Sequence, residues 1–255
     1  MSKIYDALRK NLDERRGEGN EPPPPPPPAP PAGQGAKGPQ GGQPSMVVLP
    51  ALEEFPKGFW KSVNRVAAAI QGGVDENERS VMFVGAETGA GTSTLALATC
   101  LLLVRDPGVE VVLVDAHARP HTHPLLPTAQ NGLIQLALGE VNMWEAVLRS
   151  NHRGLSYLPR GSGSYNGPKL FEKMIPLMSN LRAVFDFLIL DVAPVITAPE
   201  SAQLAGLCDG VVVVLTSERT PKGEAVRTKD ILDQHHARIL GTVINRTRRP
   251  GPLGR

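Results

Sequence analysis

Six short apolar runs alternate with helix-like segments over most of the chain, and this alternation most constrains its fold. The runs are residues 81–84, 111–114, 155–158, 187–190, 210–216 and 239–244. Nearly continuous Val, Ile and Leu are typical of strands buried on both faces, and helical connections between them favour a parallel sheet. Right-handed crossovers place the loops after the strands along one edge, where ligands bind in such sheets. The sequence therefore predicts an α/β fold, with a mostly parallel sheet and helices on both faces.

The first run leads into a glycine-rich stretch at residues 85–94, Gly-Ala-Glu-Thr-Gly-Ala-Gly-Thr-Ser-Thr, which precedes a helical pattern. In such an arrangement, backbone N–H groups and the positive end of the helix point into a hollow of phosphate size. The usual phosphate loop ends in Gly-Lys-Ser or Gly-Lys-Thr. Here Thr92 stands at the lysine position, and Ser93 supplies the hydroxyl that usually coordinates Mg²⁺. The sequence predicts a nucleotide-binding scaffold that lacks its principal cation.

Two later runs lead into aspartates, Asp115 and Asp191. An aspartate at the end of a buried strand beside a phosphate loop adds negative charge where Mg²⁺ must sit. Either aspartate alone could be an ordinary helix or turn cap. Their order after the glycine-rich loop instead predicts a magnesium site that they share with Ser93.

This ordered set of segments resembles the cytoplasmic domain of bacterial tyrosine autokinases and the related exopolysaccharide chain-length co-polymerase ATPases. These are a branch of the partition and septum-site P-loop ATPases. Asp115 and Arg119 match the family's Walker A′ pattern Asp-x-Asp-x-Arg, although His117 takes the place of the second aspartate. Asp191 matches the Walker B aspartate, and residues 158–168 and 241–246 match two further family segments. The resemblance covers about residues 52–248 and implies a P-loop NTPase-like fold.

The resemblance also implies a set of ligand-binding residues. Those implied for ATP or ADP are Gly89, Ala90, Gly91, Thr92, Ser93, Thr94, Arg119 and Asn245. Asn245 would meet the adenine. Those implied for Mg²⁺ are Ser93, Asp115 and Asp191, and the two aspartates would be the catalytic residues. Because the loop has no lysine, we expect weak or absent binding of nucleotide and Mg²⁺, and we expect the catalytic aspartates to be vestigial.

Three departures separate this chain from the family's autokinases. Glu87 stands at the position of the second, signature lysine of the partition branch, so residues 85–94 contain no lysine. No tyrosine follows Tyr165, although autokinases phosphorylate a C-terminal tyrosine cluster. The family's oligomerisation motif of spaced arginines is not evident before the first strand. These departures favour a degenerate, weakly nucleotide-binding regulator of a membrane polysaccharide co-polymerase or export protein.

Two other functions stay open. In the first, the protein is an active ATPase or tyrosine kinase, and Arg119 or a residue of a neighbouring subunit supplies the missing charge. In the second, it is a positioning adaptor like the septum-site proteins, with residues 2–16 as its membrane contact. Ile4, Leu8 and Leu12 give that segment one apolar helical face, typical of a docking or membrane-surface helix. A frayed tail is the alternative.

Composition divides the chain into four parts. We predict an amphipathic helix at 1–16, a disordered Pro/Gly-rich linker at 17–45, a P-loop domain at 46–248 and a basic tail at 249–255. A helical pattern at 51–71 opens the domain. The net charge of +2 argues against bulk nucleic-acid binding, and no apolar run approaches the ~20 residues that span a bilayer. We expect a cytoplasmic protein, with peripheral association at the inner face of the membrane through residues 2–16.

Three histidines, His117, His121 and His123, raise the question of a transition-metal site. Their spacing could place imidazoles around such an ion. However, no thiolate lies nearby in the sequence, and the nearby carboxylate, Asp115, is already assigned to Mg²⁺. A solvated loop at the rim of the nucleotide cleft is therefore the favoured interpretation.

Overall fold

The computed structural model describes residues 46–246 except 52, 54, 56, 75–78, 122 and 164–166. The predicted N-terminal helix (1–16), proline-rich linker (17–45) and basic tail (249–255) lie outside the described residues. The description therefore concerns the predicted P-loop domain. Within it, no helix has both the length and the apolar character needed to pass through a bilayer.

Helices and strands alternate along the described part of the chain. The helices are α1 (Lys57–Gly73), α2 (Thr92–Leu103), α3 (Leu133–Leu138), α4 (Met143–Ala146), α5 (Gly167–Arg182), α6 (Pro199–Ala205) and α7 (Lys222–Gln234). The strands are β1 (Ser80–Gly85), β2 (Val111–Asp115), β3 (Leu148–Arg149), β4 (Leu155–Leu158), β5 (Phe187–Val192), β6 (Gly210–Thr216) and β7 (Ile239–Asn245). All six predicted strands are present, and their ends differ from the predicted ends by at most two residues.

The strands form one seven-stranded sheet in the order β3-β4-β2-β5-β1-β6-β7. Every neighbouring pair is parallel except β3 with β4, which confirms the predicted fold class. From β1 the chain crosses to β2 on one side, whereas β6 and β7 lie on the other side of β1. The loop after β1 therefore lies at the switch point of the sheet, where ligands bind in doubly wound folds.

Alternate side chains of each strand enter two apolar cores, one on each face of the sheet. In β1, Met82 and Val84 join a core built with α3, α5 and α6. Val81 and Phe83 join a second core built with α1 and α2. All residues of β1, β2 and β5 are buried. Burial on both faces explains why these strands read as continuous apolar runs and not as polar and apolar residues in alternation.

The first helix differs from its predicted bounds. The pattern at 51–71 predicted a helix from residue 51, but α1 begins at Lys57 and ends at Gly73. Pro56 in the sequence accounts for the late start, because proline lacks an N–H donor and is favoured only near the beginning of a helix. Val63 and Ile70 of α1 are fully buried in the same core as Val81 of β1. The helix therefore packs on the face of the sheet that carries this core.

The register of the sheet brings the two predicted aspartates together. β2 pairs with β5, and Asp115 lies directly opposite Asp191. Asp191 lies inside its strand and not after it, since β5 continues to Val192. Because β5 also borders β1, both aspartates lie at the sheet edge from which the glycine-rich loop departs.

Candidate nucleotide and metal site

The loop between β1 and α2 has a backbone shape that suits a phosphate group. Gly89 and Gly91 have φ angles of 79° and 90°, in the left-handed region that favours glycine. The helix α2 begins at Thr92 directly after Gly91, and its N-cap supplies no side-chain acceptor to the first turn. Unsatisfied N–H groups and the positive end of the helix dipole attract anions. This part of the site therefore fits a phosphate.

Asn245, at the end of β7, holds this loop in place. Its Nδ2 donates a hydrogen bond to the carbonyl oxygen of Ala90 at 2.8 Å. A Cβ at position 91 would lie 2.3 Å from the same nitrogen, so the contact requires glycine at Gly91. Asn245 thus supports the loop backbone, and its predicted role at the adenine stays a prediction.

Residues without positive charge occupy both lysine positions of the family pattern. A Cβ on Gly85 would lie 2.8 Å from the Thr92 hydroxyl, so Thr92 folds back over the end of β1. The Glu87 carboxylate accepts a hydrogen bond from Thr220 Oγ1 at 3.0 Å and lies 3.6 Å from Arg219 Nε. The loop therefore carries a carboxylate, tied to the β6–α7 connection, where the family pattern has a lysine.

Asp191 is the most deeply buried charged group of the site, at 0% exposure. Neither of its carboxylate oxygens has a hydrogen-bond partner of good geometry among the described residues. Burial raises the pKa of Asp191 to about 7, although the nearby His117 and the Ser93 hydroxyl favour its charged form. Asp115 raises this pKa further by repulsion. A buried carboxylate with unsatisfied oxygens at this edge fits a cation.

Two of the three histidines meet these aspartates. His117 Nδ1 lies 3.0 Å from Asp115 Oδ1 and 3.9 Å from Asp191 Oδ2. His121 Nδ1 lies 3.8 Å from Asp115 Oδ2, and its ring stacks on that of His117 with centroids 3.7 Å apart. The side chains of His117 and His121 are only 13% and 25% exposed. The expectation of a solvated loop is therefore wrong for these two residues, because the loop folds inward over the aspartates.

The pKa values of the two stacked histidines are shifted in opposite directions. Burial alone would lower the pKa of His117, but its hydrogen bond to Asp115 and the charge of Asp191 outweigh burial and raise that pKa. Burial lowers the pKa of His121. His123 lies apart from the pair, with Nε2 3.4 Å from Thr94 Oγ1 at the start of α2. Only His117 and His121 therefore share the aspartate pair.

A buried arginine organises the same loop, and no role was predicted for it. Arg160 is 6% exposed, and its guanidinium donates to the carbonyl oxygens of His117 at 2.9 Å and Ala118 at 3.0 Å. It also donates to the carbonyls of Gly161 and Gly163. Its only sequence signal was its place in residues 158–168, which match a family segment. That segment allows any residue type at the position of Arg160. Arg160 fixes the backbone that carries the histidines.

Arg119, the predicted nucleotide-binding arginine, lies on the same loop but is exposed. It forms no hydrogen bond or ion pair with another described residue. Its guanidinium is thus open to solvent, unlike that of Arg160.

The residues present fit a phosphate-bearing ligand and a divalent cation. Gly91 and the first turn of α2 would hold phosphate oxygens, whereas Ser93, Asp115 and Asp191 would hold Mg²⁺. The loop has no lysine side chain for the β- and γ-phosphates. The site therefore has the backbone and metal parts of a phosphate-binding site without its main cation.

The chain is similar in sequence to known proteins, two of which are described here, although no protein-family model matches it. The chain is 31% identical over 176 residues to the tyrosine-protein kinase YwqD of Bacillus subtilis, over 68% of this chain and 74% of that protein. It is 27% identical over 180 residues to the succinoglycan biosynthesis transport protein ExoP of Rhizobium meliloti. That match spans 66% of this chain but 22% of the longer ExoP.

Solved structures show the same fold. The chimerical protein CapA2B2 superposes with a TM-score of 0.69 and 24% identity, over 78% of this chain and 88% of that chain. A ParA family ATPase from Chlorobium tepidum superposes with a TM-score of 0.52 and 19% identity, over 66% of this chain and 74% of that chain. The P-loop α/β architecture predicted from the sequence is thereby confirmed.

Proposed function

The chain belongs to the bacterial tyrosine-protein kinase family, and we propose that it is a degenerate member that binds nucleotide weakly and acts as a regulator. The observation that carries this proposal is Thr92 at the lysine position of an otherwise well-formed phosphate loop. Glu87 at the second lysine position adds a carboxylate that is held by Thr220 and Arg219. Neither lysine position can neutralise phosphate charge.

The missing lysine has a predictable energetic effect. Charge-assisted hydrogen bonds to phosphate are worth about 1.5–3 kcal/mol each. Loss of one such contact weakens binding by about 10- to 150-fold. The γ-phosphate loses its cation, so ATP and ADP should be poorly distinguished. Loop N–H groups, Ser93 and the two aspartates remain for weak binding.

We place the partner of this protein among membrane proteins of polysaccharide export, such as a chain-length co-polymerase. The relation to ExoP, a succinoglycan biosynthesis transport protein, supports this assignment. The protein would act at the cytoplasmic face through its bound or empty state and not through turnover. Its amphipathic segment at residues 2–16 would bring it to the membrane.

A second candidate function is a slow but real ATPase or kinase. It is favoured by Arg119, whose exposed guanidinium has no partner among the described residues and lies on the loop after β2. Rotation of this side chain toward a bound nucleotide would supply one positive charge.

Calorimetry with ATP and ADP tests the first function. We expect Thr92→Lys to bind ATP about 10- to 150-fold more tightly than wild type. Thr88→Lys is the matched control, because Thr88 is an exposed threonine of the same loop and adds the same charge at the wrong position. Tight ATP binding by the wild type, unchanged in Thr92→Lys, would refute the proposal. If Arg119→Ala then removed that binding, the second function would be favoured.

A further inference from the structure

We propose that Asp115, His117 and His121, which lie beside the buried Asp191, form a site for one divalent transition-metal ion of the Zn²⁺ class. The first three offer ligand atoms that all lie within 4.8 Å of one another. This site goes beyond the proposed nucleotide function, and because it shares Asp115 with the proposed Mg²⁺ site, the two ions would compete for that carboxylate. The family pattern itself has an aspartate where this chain has His117.

The distances suit a small ion with nitrogen and oxygen ligands. Two ligand atoms bound at ~2.1 Å with a tetrahedral angle lie about 3.4 Å apart. The three measured separations are 3.0 Å for His117 Nδ1 to Asp115 Oδ1, 3.9 Å for His117 Nδ1 to Asp191 Oδ2, and 3.8 Å for His121 Nδ1 to Asp115 Oδ2. These separations lie on both sides of the ideal value, and the ligand atoms of Asp115, His117 and His121 are close enough together for modest side-chain movements to bring them around one ion.

Unsatisfied polar atoms are a second, independent observation. Both ring nitrogens of His121 are inaccessible to solvent, and no described residue offers them a hydrogen bond. The carboxylate oxygens of Asp191, which is fully buried, also have no hydrogen-bond partner of good geometry among the described residues, although the Ser93 hydroxyl lies nearby. Buried polar groups are normally satisfied, because an unmade hydrogen bond there is costly. A metal ion bound by Asp115, His117 and His121 would satisfy one His121 nitrogen and would place positive charge beside the Asp191 carboxylate.

The ligand types select the kind of metal. Imidazole favours Zn²⁺, Co²⁺, Ni²⁺ and Cu²⁺, whereas Mg²⁺ prefers oxygen ligands and retains several waters. His117 replaces a carboxylate of the family pattern by a nitrogen donor, and His121 adds another. The site is therefore shifted from a hard-cation site toward a transition-metal site.

The surroundings give the ligands a fixed orientation. Arg160 donates to the carbonyl oxygens of His117 and Ala118, which restrains the backbone of the ligand loop as supporting contacts do in metal sites. Its positive charge opposes a cation, but the two aspartates supply two negative charges within the same cluster.

Cobalt titration of the full chain tests the proposal. The 255-residue protein would be stripped with a chelator and titrated with Co²⁺, whose visible absorption reports low-coordinate nitrogen and oxygen ligation. We expect one equivalent to bind with a tetrahedral spectrum, and a hundredfold excess of Mg²⁺ should not displace it. His117→Gln and His121→Gln should each weaken binding by at least about tenfold.

His123→Gln is the matched control, because His123 belongs to the same loop but lies outside the cluster. It should retain wild-type affinity and spectrum. Circular dichroism of each variant separates loss of the metal from loss of the fold, and His121→Gln, at the partly exposed rim, decides the matter if His117→Gln does not fold. The proposal is overturned if no stoichiometric Co²⁺ binds, or if folded His121→Gln binds it as tightly as wild type. Equal loss in His123→Gln would also overturn it.

Discussion

Asp191 lowers the stability of the empty protein but is suited to bind a cation. Its carboxylate is fully buried and has no hydrogen-bond partner of good geometry among the described residues. Such a group destabilises the empty protein and is retained where a ligand compensates it. The sequence predicted that Asp191 and Asp115 belong to one site, because both follow apolar runs and match family motifs. It could not predict their direct pairing, which depends on β2 and β5 being neighbours.

The inward fold of the histidine loop could not be predicted from the sequence. The spacing of His117, His121 and His123 was visible, but whether a loop folds inward depends on long-range contacts. Here those contacts are the hydrogen bonds from Arg160, a residue more than forty positions away from His117 and Ala118. Arg160 stands at a position where the family segment allows any residue type. Nothing in the sequence therefore indicates that it holds the histidine loop.

We predict that Asp191→Asn stabilises the metal-free protein at alkaline pH. The pKa of Asp191 is raised from 3.8 to about 7 in the folded state. Below the unfolded pKa the carboxyl is neutral in both states and has no effect. The penalty grows as pH rises between the two values and is complete above the folded one. At pH 8 the variant should gain on the order of a few kcal/mol in unfolding free energy.

Chemical denaturation at pH 4 and pH 8 in the presence of a chelator measures this gain. Asp186→Asn is the control, since Asp186 is an exposed aspartate directly before the same strand. It should show no comparable gain. Equal stability of Asp191→Asn and wild type at pH 8 would contradict the buried, unpaired state of the carboxylate.

We predict that Gly91→Ala damages the phosphate loop more than Gly89→Ala does. Both glycines have left-handed φ angles, of 90° and 79°, so alanine at either costs about 1–2 kcal/mol of backbone strain. Only at Gly91 would the new Cβ also meet Asn245 Nδ2, at 2.3 Å, whereas nothing lies within 4 Å at Gly89. Thermal unfolding should show the larger loss for Gly91→Ala. Equal losses would mean that Asn245 does not hold the loop.

At the scale of elements, the parallel sheet was predictable because burial on both faces leaves an unmistakable apolar record in each strand. All six such strands were found. The two-residue β3 (Leu148–Arg149) was missed, because its residues are partly exposed and too few to show a period. The helical pattern at 51–71 is interrupted early by Pro56 and Gly58 in the sequence, and α1 begins at Lys57, after the first of these breaks. The apolar pattern thus predicts which elements are present, whereas single residues such as proline determine where an element begins or ends.

A cluster of polar and charged side chains lies where β1 and β6 begin, at the opposite end of these strands from the candidate site. We predict that this cluster stabilises the fold. Arg182 Nη2 donates to Ser80 Oγ at 2.6 Å and Asp209 Oδ2 at 3.1 Å. Asp209 also accepts from the backbone N–H of Ser80 at 2.9 Å. Asp209→Ala removes the acceptor of this cluster, and denaturation should show a loss of about 2–3 kcal/mol.

Asp233→Ala is the control for this loss. Asp233 pairs with Lys229 on the exposed face of α7, and exposed pairs of this kind contribute little. Its midpoint of unfolding should stay near that of wild type. A loss in Asp233→Ala as large as that in Asp209→Ala would mean that the cluster has no special role.

At the scale of the whole molecule, composition separates the globular domain from residues 1–45, which lie outside the described part of the chain. Prolines crowd residues 22–31 of this segment, and the linker at 17–45 stays a prediction from composition. The membrane partner and the polysaccharide of the proposed function depend on other molecules. Neither the sequence pattern nor the fold of this chain specifies them.

We predict that deletion of residues 1–45 leaves the domain intact. The melting temperature should change by no more than about 1–2 °C, because the proline-rich composition predicts a segment with few contacts to the domain. Recruitment to membranes or to the partner should be lost, as a vesicle or membrane co-sedimentation assay would show. A large drop in melting temperature would contradict the separation of linker and domain.

Phosphate release under saturating Mg²⁺ and ATP tests most directly whether the loop has lost its catalytic charge. Removal of one preorganised charge at a transition state commonly costs about 10²–10³ in rate. The wild-type chain should therefore release phosphate about 10²–10³ times more slowly than Thr92→Lys, whereas Thr88→Lys should stay at the wild-type rate. A wild-type rate equal to that of Thr92→Lys would contradict the account and would mean that another residue supplies the charge.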